Sequence, residues 1–264
     1  MIFIQPSINP IIISFGLIDI RWYSLAYVFG LILGLILIKK LNKIKNQKIS
    51  TNTLDNFFVW AVVGIILGGR IGYVLFYQSE LFLKDPLYIL EIWNGGMSFH
   101  GGLAGIIVSI FLYCRINKIE FFYLSDLVSI AAPIGLFLGR IANFINTELI
   151  GRKTDFYIAV IYPSIDNLPR HPSQLYEAFL EGIVIFIILI FYFFKYINFK
   201  NNGFISGMFL SLYGLFRFLI EFLREPDEQL GLFFNFISMG QILSLPILIL
   251  GVILMIFKLK RKII

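Results

Sequence analysis

Leu138–Gly151 reads LGRIANFINTELIG, and the way this stretch is read decides the fold. It closes an apolar run and carries Arg140, Asn143, Asn146 and Glu148. Charged and amide side chains at membrane depth are expensive, and those that persist there mark a site or answer a partner. The flanking chain therefore has to supply a bilayer-spanning frame that holds this stretch at one face.

The composition fits such a frame. Of the 264 residues 58% are hydrophobic and 14% charged, against about 25% charged in soluble domains. No segment is polar and long enough to be a separate soluble domain. Seven apolar runs approach the ~20 residues that a helix needs to cross the hydrocarbon core. They cover 22–39, 55–77, 96–114, 121–142, 175–194, 204–223 and 236–257. The expectation is an all-α polytopic membrane protein of seven transmembrane helices. One integral membrane domain covers 1–264, and residues 143–170 form a small external head between the fourth and fifth spans. Within that head YIAVIYP reads as a short strand or hairpin. The first 20 residues lack the basic region and small-residue cleavage site of a cleavable signal peptide. Cys114, the single cysteine, excludes an internal disulfide and a cysteine metal cluster.

Charge sets the orientation. Lys39, Lys40, Lys43, Lys45 and Lys48, then Arg115 and Lys118, Lys195 and Lys200, and Lys258, Lys260, Arg261 and Lys262 put thirteen cations on one side. The opposite connections hold Lys84, Arg152, Lys153 and Arg170. The positive-inside rule places the N-terminus outside and the C-terminus in the cytoplasm. The net charge of +6 is thus spent on topology, and nucleic acid is not an expected partner.

Five arginines remain, Arg21, Arg70, Arg140, Arg217 and Arg224, each in or at the outer end of a span. Any one alone can snorkel to the interface. Together they form a basic pocket for an anionic head group. Tyr213, Arg217, Glu221 and Arg224 share one face of the sixth span. Arg217 and Glu221 either neutralise each other inside the bundle, or they face the pocket with Arg140. Two guanidiniums can clamp a phosphate through planar, paired hydrogen bonds. Gly64, Gly68 and Gly72, Gly30 and Gly34, and Gly101 and Gly105 have the four-residue spacing of closely packed helices.

Both histidines lie on the outer side. His100, in GGMSFHGGL, has the proton affinity for transfer near neutral pH, or it is an interfacial histidine with no chemical role. His171, in RHPSQLYE, reads first as a loop-to-helix corner, with Glu177 and Glu181 following on one face. Two histidines on separate segments, without HExxH, give no metal site. No cofactor is implied.

These blocks resemble a known family. GRIANFINTELIG resembles the signature of prolipoprotein diacylglyceryl transferases, membrane enzymes that lipidate bacterial lipoprotein precursors. IRWYSLAY, GGRIGYVLFY, DPLYIL, WNGGMSFHGGLAG, RHPSQLYE, YGLFRFLIEFLREPD and ISMGQILSLP resemble further family blocks, in order, from Arg21 to Pro246. Ala142 departs from a position often filled by glycine, and the 151–170 connection is shorter than in some members.

The resemblance implies a reaction at the outer face of the bacterial inner membrane. The diacylglyceryl group of phosphatidylglycerol goes to the lipobox cysteine thiol of a prolipoprotein signal peptide, and glycerol 1-phosphate leaves. On this reading His100 is the base for the thiol, and Arg140 and Arg217 hold the phosphate. Tyr23, Asn143, Asn146, Glu148 and Tyr213 position the head group or the arginines, and Gly151 permits a tight turn beside them. Glu221 and Arg224 orient Arg217, with His171 and Arg70 as outer supports. The competing class is a carrier or flippase for an anionic lipid, which the arginines would serve equally well. The lack of internal repeats and of a polar stripe reaching the cytoplasmic side stands against it. A purely structural scaffold leaves the polar residues unexplained. Composition fixes no oligomeric state.

Overall fold

A computed structural model describes residues 3–15, 18–46, 48–196, 201–226, 232–233 and 237–260. Lys200, Arg261, Lys262 and the first residue of the 236–257 run lie outside the described residues. The chain divides into two units, Met1–Ile38 with Val128–Ile264, and Lys39–Leu127.

The helices follow the apolar runs closely. They are α1 (Trp22–Ile44), α2 (Thr51–Tyr77), the short α3 (Ser79–Lys84), α4 (Phe99–Asn117) and α5 (Phe121–Ile145). Next come α6 (Ser173–Glu177), a π-helical stretch (Ala178–Val184) and α7 (Ile185–Lys195), which together form one continuous helix. Then come α8 (Phe204–Ile220) and α9 (Met239–Lys260). Among the described residues six helices are long and apolar enough to cross a membrane, and α8 is a shorter apolar helix. The protein is a multi-pass membrane protein. Its exposure pattern agrees, because large apolar chains such as Phe29, Phe191 and Phe257 point outward while Gln174, Glu177, Glu181 and Ser244 are fully buried. That is the inverse of a water-soluble fold.

One boundary is corrected. The run 204–223 is helical only to Ile220. Backbone N–H groups of Leu223 and Arg224 both return to the Ile220 carbonyl, at 2.8 and 3.1 Å, and the tight turn they make delivers Glu221 and Arg224 to the charged site. The fold is mostly helical, as expected, and short strands accompany the helices, one of them (Val160–Ile161) within YIAVIYP. Short strands β1 (Phe3–Ile4), β4 (Val160–Ile161) and β5 (Pro169–Arg170) make one small sheet. A hairpin of β2 (Ile11–Phe15) and β3 (Ile18–Arg21) precedes α1, and β6 (Leu232–Phe233) pairs with β7 (Ile237–Ser238) before α9. β4 and β5 lie inside the expected head. β1 pairs in parallel with β4, Phe3 opposite Val160, so the N-terminal segment belongs to the same sheet.

In the Lys39–Leu127 unit, α2 and α4 meet backbone to backbone. A Cβ on Gly72 would come within 2.7 Å of the Gly101 Cα, and one on Gly68 within 2.7 Å of the Gly105 Cα. The expected glycine seam is therefore real, and no larger residue fits it. Each helix is capped by serine: Ser50 accepts from the Thr53 amide at 3.2 Å, and Ser98 from the Gly101 amide at 3.3 Å.

In the other unit, α8 and α9 pack through Gly207, Gly214 and Gly251; a Cβ on Gly214 would stand 2.7 Å from the Leu248 amide nitrogen. Gly30 likewise lies against the Gly135 Cα of α5. Within the π-helical stretch Gly182 sits on Phe137, where a Cβ would meet the Phe137 Cβ at 2.6 Å. Phe137 is about one turn before Arg140 on α5. The close approach at Gly182 is what lets α5 present Arg140 to the acidic residues of the facing helix.

Candidate functional site: a chain of buried charges

Three arginines and three glutamates form a continuous chain inside the Met1–Ile38/Val128–Ile264 unit. Arg140 Nη2 pairs with Glu181 Oε2 at 3.2 Å, and Arg140 Nε with Glu177 Oε2 at 2.8 Å. The other Glu177 oxygen accepts from Arg217 Nη1 at 2.6 Å. Arg217 Nη2 reaches Glu221 Oε2 at 3.0 Å, which stands 3.9 Å from Arg224 Nη1. Glu177 and Glu181 are fully buried, and Arg217, Glu221 and Arg224 nearly so. Such charges are tolerated only when paired, and here the signs alternate and cancel.

Arg140 is the open member. Its side chain keeps 13% exposure, and its Nη1 donates no hydrogen bond among the described residues. Tyr213 is buried on α8, close enough to Arg140 and Arg217 for their charges to act on its hydroxyl. Tyr23 is within similar reach of Arg140 and Glu148, and its hydroxyl meets that of Tyr27 at 3.2 Å.

Beyond α5 the chain reverses over Glu148. Asn143 and Asn146 each donate to one of its oxygens, at 2.8 and 3.2 Å. Gln174 Nε2 donates to the Glu148 carbonyl at 2.6 Å and accepts at its own oxygen from Tyr162 at 2.9 Å. Thr147 and Leu149, with φ of 58° and 57°, are left-handed, which costs a β-branched or bulky residue energy. The neighbours hold this conformation. Thr147 Oγ1 meets Gln5 Oε1 at 3.0 Å, Gln5 Nε2 donates to the Phe144 carbonyl, and Ser173 Oγ donates to the Leu149 carbonyl at 2.7 Å.

Gly151 does something other than expected. It is not at a positive-φ turn; it bridges to Arg224 in antiparallel fashion and donates its amide to the His171 carbonyl at 3.0 Å. A Cβ there would collide with His171, so the requirement is close approach and not a tight turn. The left-handed positions are Thr147 and Leu149. His171 is the loop-to-helix corner: its amide donates to the Arg152 carbonyl at 3.0 Å, its Nδ1 lies 3.3 Å from the Tyr176 hydroxyl, and burial pushes its pKa down. Arg170 clamps this corner through Asp166 at 2.8 Å, Glu225 at 2.9 Å and the Gly151 carbonyl at 3.1 Å. It holds the Asp166 carboxyl below the usual carboxylate range.

The five arginines in or at the ends of spans thus divide. Arg140, Arg217 and Arg224 are linked through carboxylates. Arg21 is 57% exposed on the β3 strand, 3.8 Å from Asp19, and takes no part in the chain. Arg70 belongs to the Lys39–Leu127 unit and is buried, donating to the carbonyls of Gly95 (2.5 Å), Tyr88 (2.7 Å) and Ile89 (3.3 Å), with its guanidinium 4.6 Å from the Tyr88 ring centre. The Gly69 carbonyl accepts from the Ser98 amide at 2.9 Å, so Arg70 and its neighbour tie down the segment that leads into α4. His100 stands on the first turn of that helix, half-buried, its ring edge-on to Phe99 at 5.6 Å.

Glu177 and Glu181 are the residues that sequence reasoning left outside the site. The available signal was their four-residue spacing, Glu177 closing RHPSQLYE and Glu181 one turn later in the same span, with Arg140 elsewhere lacking a counterion. Among the described residues no cluster of His, Cys, Asp and Glu could hold a metal ion.

Apolar helices closed around a neutral chain of paired charges, with one guanidinium partly open, define an integral membrane protein with a buried polar site. The family model of the prolipoprotein diacylglyceryl transferases matches residues 10–257. Similar curated proteins named phosphatidylglycerol–prolipoprotein diacylglyceryl transferase include those of Rickettsia felis and Rickettsia africae, each 50% identical over 246 residues, covering 93% of this chain and 95% of theirs. That of Rickettsia bellii is 48% identical over 251 residues, 95% of each chain. The chain belongs to the prolipoprotein diacylglyceryl transferase family, and it is an enzyme.

Proposed function

We propose that this protein moves the diacylglyceryl group of phosphatidylglycerol onto the lipobox cysteine thiol of prolipoproteins, forming a thioether and releasing glycerol 1-phosphate. This is the first step of bacterial lipoprotein maturation. The observation that carries it is Arg140, a guanidinium held rigidly by two buried carboxylates with one Nη left to donate.

The reaction is alkylation of sulfur with a phosphate ester as leaving group. The thiol must lose a proton, the departing phosphate must be stabilised, and both substrates must be aligned at one carbon. Arg140 and Arg217 serve the phosphate. Glu177 fixes the spacing of the two guanidiniums, because each takes one of its oxygens. Glu221 and Arg224 extend that hold on Arg217. Asn143 and Asn146 orient Glu148, which, with Tyr23 and Tyr213, positions the head group. His100 takes the thiol proton. Gly151, Arg70 and His171 keep the backbone around these groups in place.

The site lies near the outer face of the bacterial inner membrane in a seven-span arrangement, with residues 143–170 as an outer cap. Two backbone pairings support this. β1 lies before α1 and its partner β4 after α5, so an even number of crossings separates them; α1, α2, α4 and α5 supply four. Gly151 and Arg224 also pair, so the continuous α6–α7 helix and α8 must cross together. α8 is then a span in spite of its 17 residues, which is at the lower limit for crossing. α9 makes the seventh.

The test is direct. The purified protein is incubated with phosphatidylglycerol and a lipobox peptide, and the peptide mass is followed. A diacylglyceryl adduct is expected; lipid movement between vesicles with no adduct would overturn the reading in favour of a carrier.

A further inference from the structure

Each glutamate of the charged chain has one buried oxygen that accepts no hydrogen bond among the described residues, Glu177 Oε2, Glu181 Oε1 and Glu221 Oε2. Those of Glu177 and Glu221 still face a guanidinium nitrogen at 2.8 and 3.0 Å, whereas that of Glu181 has no ion-pair partner among the described residues. Glu177 faces Arg140 through one oxygen and Arg217 through the other. Glu221 faces Arg217 and Arg224. Glu181 pairs only with Arg140, through Oε2 at 3.2 Å, while its buried Oε1 accepts no hydrogen bond among the described residues. The charged and titratable groups around it are Arg140 on α5, Glu177 one turn earlier on its own helix, and Arg217 and Tyr213 on α8. A buried carboxylate oxygen without a donor is costly, and a proton is small enough to reach it without opening the packing.

Charge balance points the same way. Fully ionised, the three arginines and three glutamates cancel. A phosphodiester anion at the free Nη1 of Arg140 adds one negative charge to a site withdrawn from water, where an uncompensated charge is strongly unfavourable. A proton on Glu181, the carboxylate paired with a single arginine, restores neutrality.

We propose that Glu181 is the proton carrier of the site: it gains a proton when an anionic phospholipid binds at Arg140 and gives it to the phosphate that leaves. This rests on the transferase reading above. In the step, the sulfur–carbon bond forms as the carbon–oxygen bond to phosphate breaks. The electron pair of the broken bond stays on the phosphate oxygen, which takes the Glu181 proton. The thiol proton, accepted by His100, balances the proton that left with the product. The phosphate departs as a monoanion, and the chain never holds a dianion.

Binding without turnover isolates the first half. The full chain in detergent is mixed with phosphatidylglycerol and no peptide, in weak buffer near neutral pH with an indicator dye. Bound lipid is counted by native mass spectrometry. Wild type takes up about one proton for each lipid bound, and Glu181→Gln binds lipid with no uptake. Lipid binding to wild type without proton uptake, uptake by Glu181→Gln equal to wild type, or no lipid bound to wild type would each overturn the proposal. With a lipobox peptide added, Glu181→Gln slows adduct formation about 100-fold, the scale of general acid catalysis, and flattens its pH profile. Glu181→Asp recovers part of the rate. A wild-type rate in Glu181→Gln also overturns it. Proton uptake by a wild type that forms no adduct would sink the transferase reading and, with it, the delivery to a leaving phosphate, while proton uptake at Glu181 on lipid binding would stand.

Discussion

Among the described residues, Arg70 meets three backbone carbonyls and no carboxylate, and Arg140 meets two carboxylates and no carbonyl. Both are arginines within apolar helices, and both look alike in a list of intramembrane cations. Carbonyls disperse a guanidinium's charge over fixed dipoles and make it part of the wall. Carboxylates cancel its charge and leave its geometry as the useful property. The first arrangement frames a segment, and the second prepares a site that can accept one more anion.

The contrast can be broken by substitution. His100 stands on the helix entered from the segment that Arg70 holds, and His100→Gln removes the proposed base itself. Transfer to a lipobox peptide should fall about 1000-fold, within the range for a lost acid–base group, with expression in membranes unchanged; a normal rate at neutral pH would return His100 to the frame. Arg140→Lys keeps the charge and loses the planar fork. A loss of about 100-fold in adduct formation is expected, with little change in thermal unfolding. Arg70→Lys should do the reverse. It leaves carbonyls unserved, at about 1–3 kcal/mol for a buried group, so the melting temperature drops while the rate per folded molecule falls less than tenfold. An Arg70→Lys variant that keeps its melting temperature and loses its rate would erase the distinction.

The smallest effect lies at the Arg170 clamp. Arg170 lowers the Asp166 pKa, so the ion pair stabilises the fold above the unfolded carboxylate value of about 3.9. That stabilisation is lost as pH falls through the lower folded value. Asp166→Asn should reduce the melting temperature slightly at pH 7, and the difference from wild type should close in acid. A difference that persists there would mean that Asp166 acts through its turn and not through its charge.

Most of the frame was legible because membrane crossing demands long apolar runs, and each run became a helix to within a few residues. The sixth ended early for a reason invisible in hydropathy: Ile220 is where the backbone turns so that Glu221 and Arg224 reach the charged chain. The arginines of the site were legible because they are costly in a span. Glu177 and Glu181 were read only as one face of a helix start, since a carboxylate near a span end is ordinary until its counterion is known. The π-helical stretch that follows Glu177 and contains Glu181 leaves no sequence mark apart from Gly182. Gly151 drew attention as a glycine should, but a turn and a close approach require the same residue. The parallel pairing of β1 with β4 joins segments far apart in the chain, and two-residue strands carry no periodicity to betray them.

That pairing has a consequence for how the protein is made. Residue 3 leaves the ribosome before residue 160 and waits for it, through α1, α2, α4 and α5, before its strand has a neighbour. The β1–β4–β5 sheet is therefore completed late, once residues 39–127 of the chain have been made. Gln5, next to that strand, holds the left-handed Thr147. An N-terminal tag or a trimmed first strand should thus leave insertion intact and spoil the last event of assembly, the seating of the reversal over Glu148.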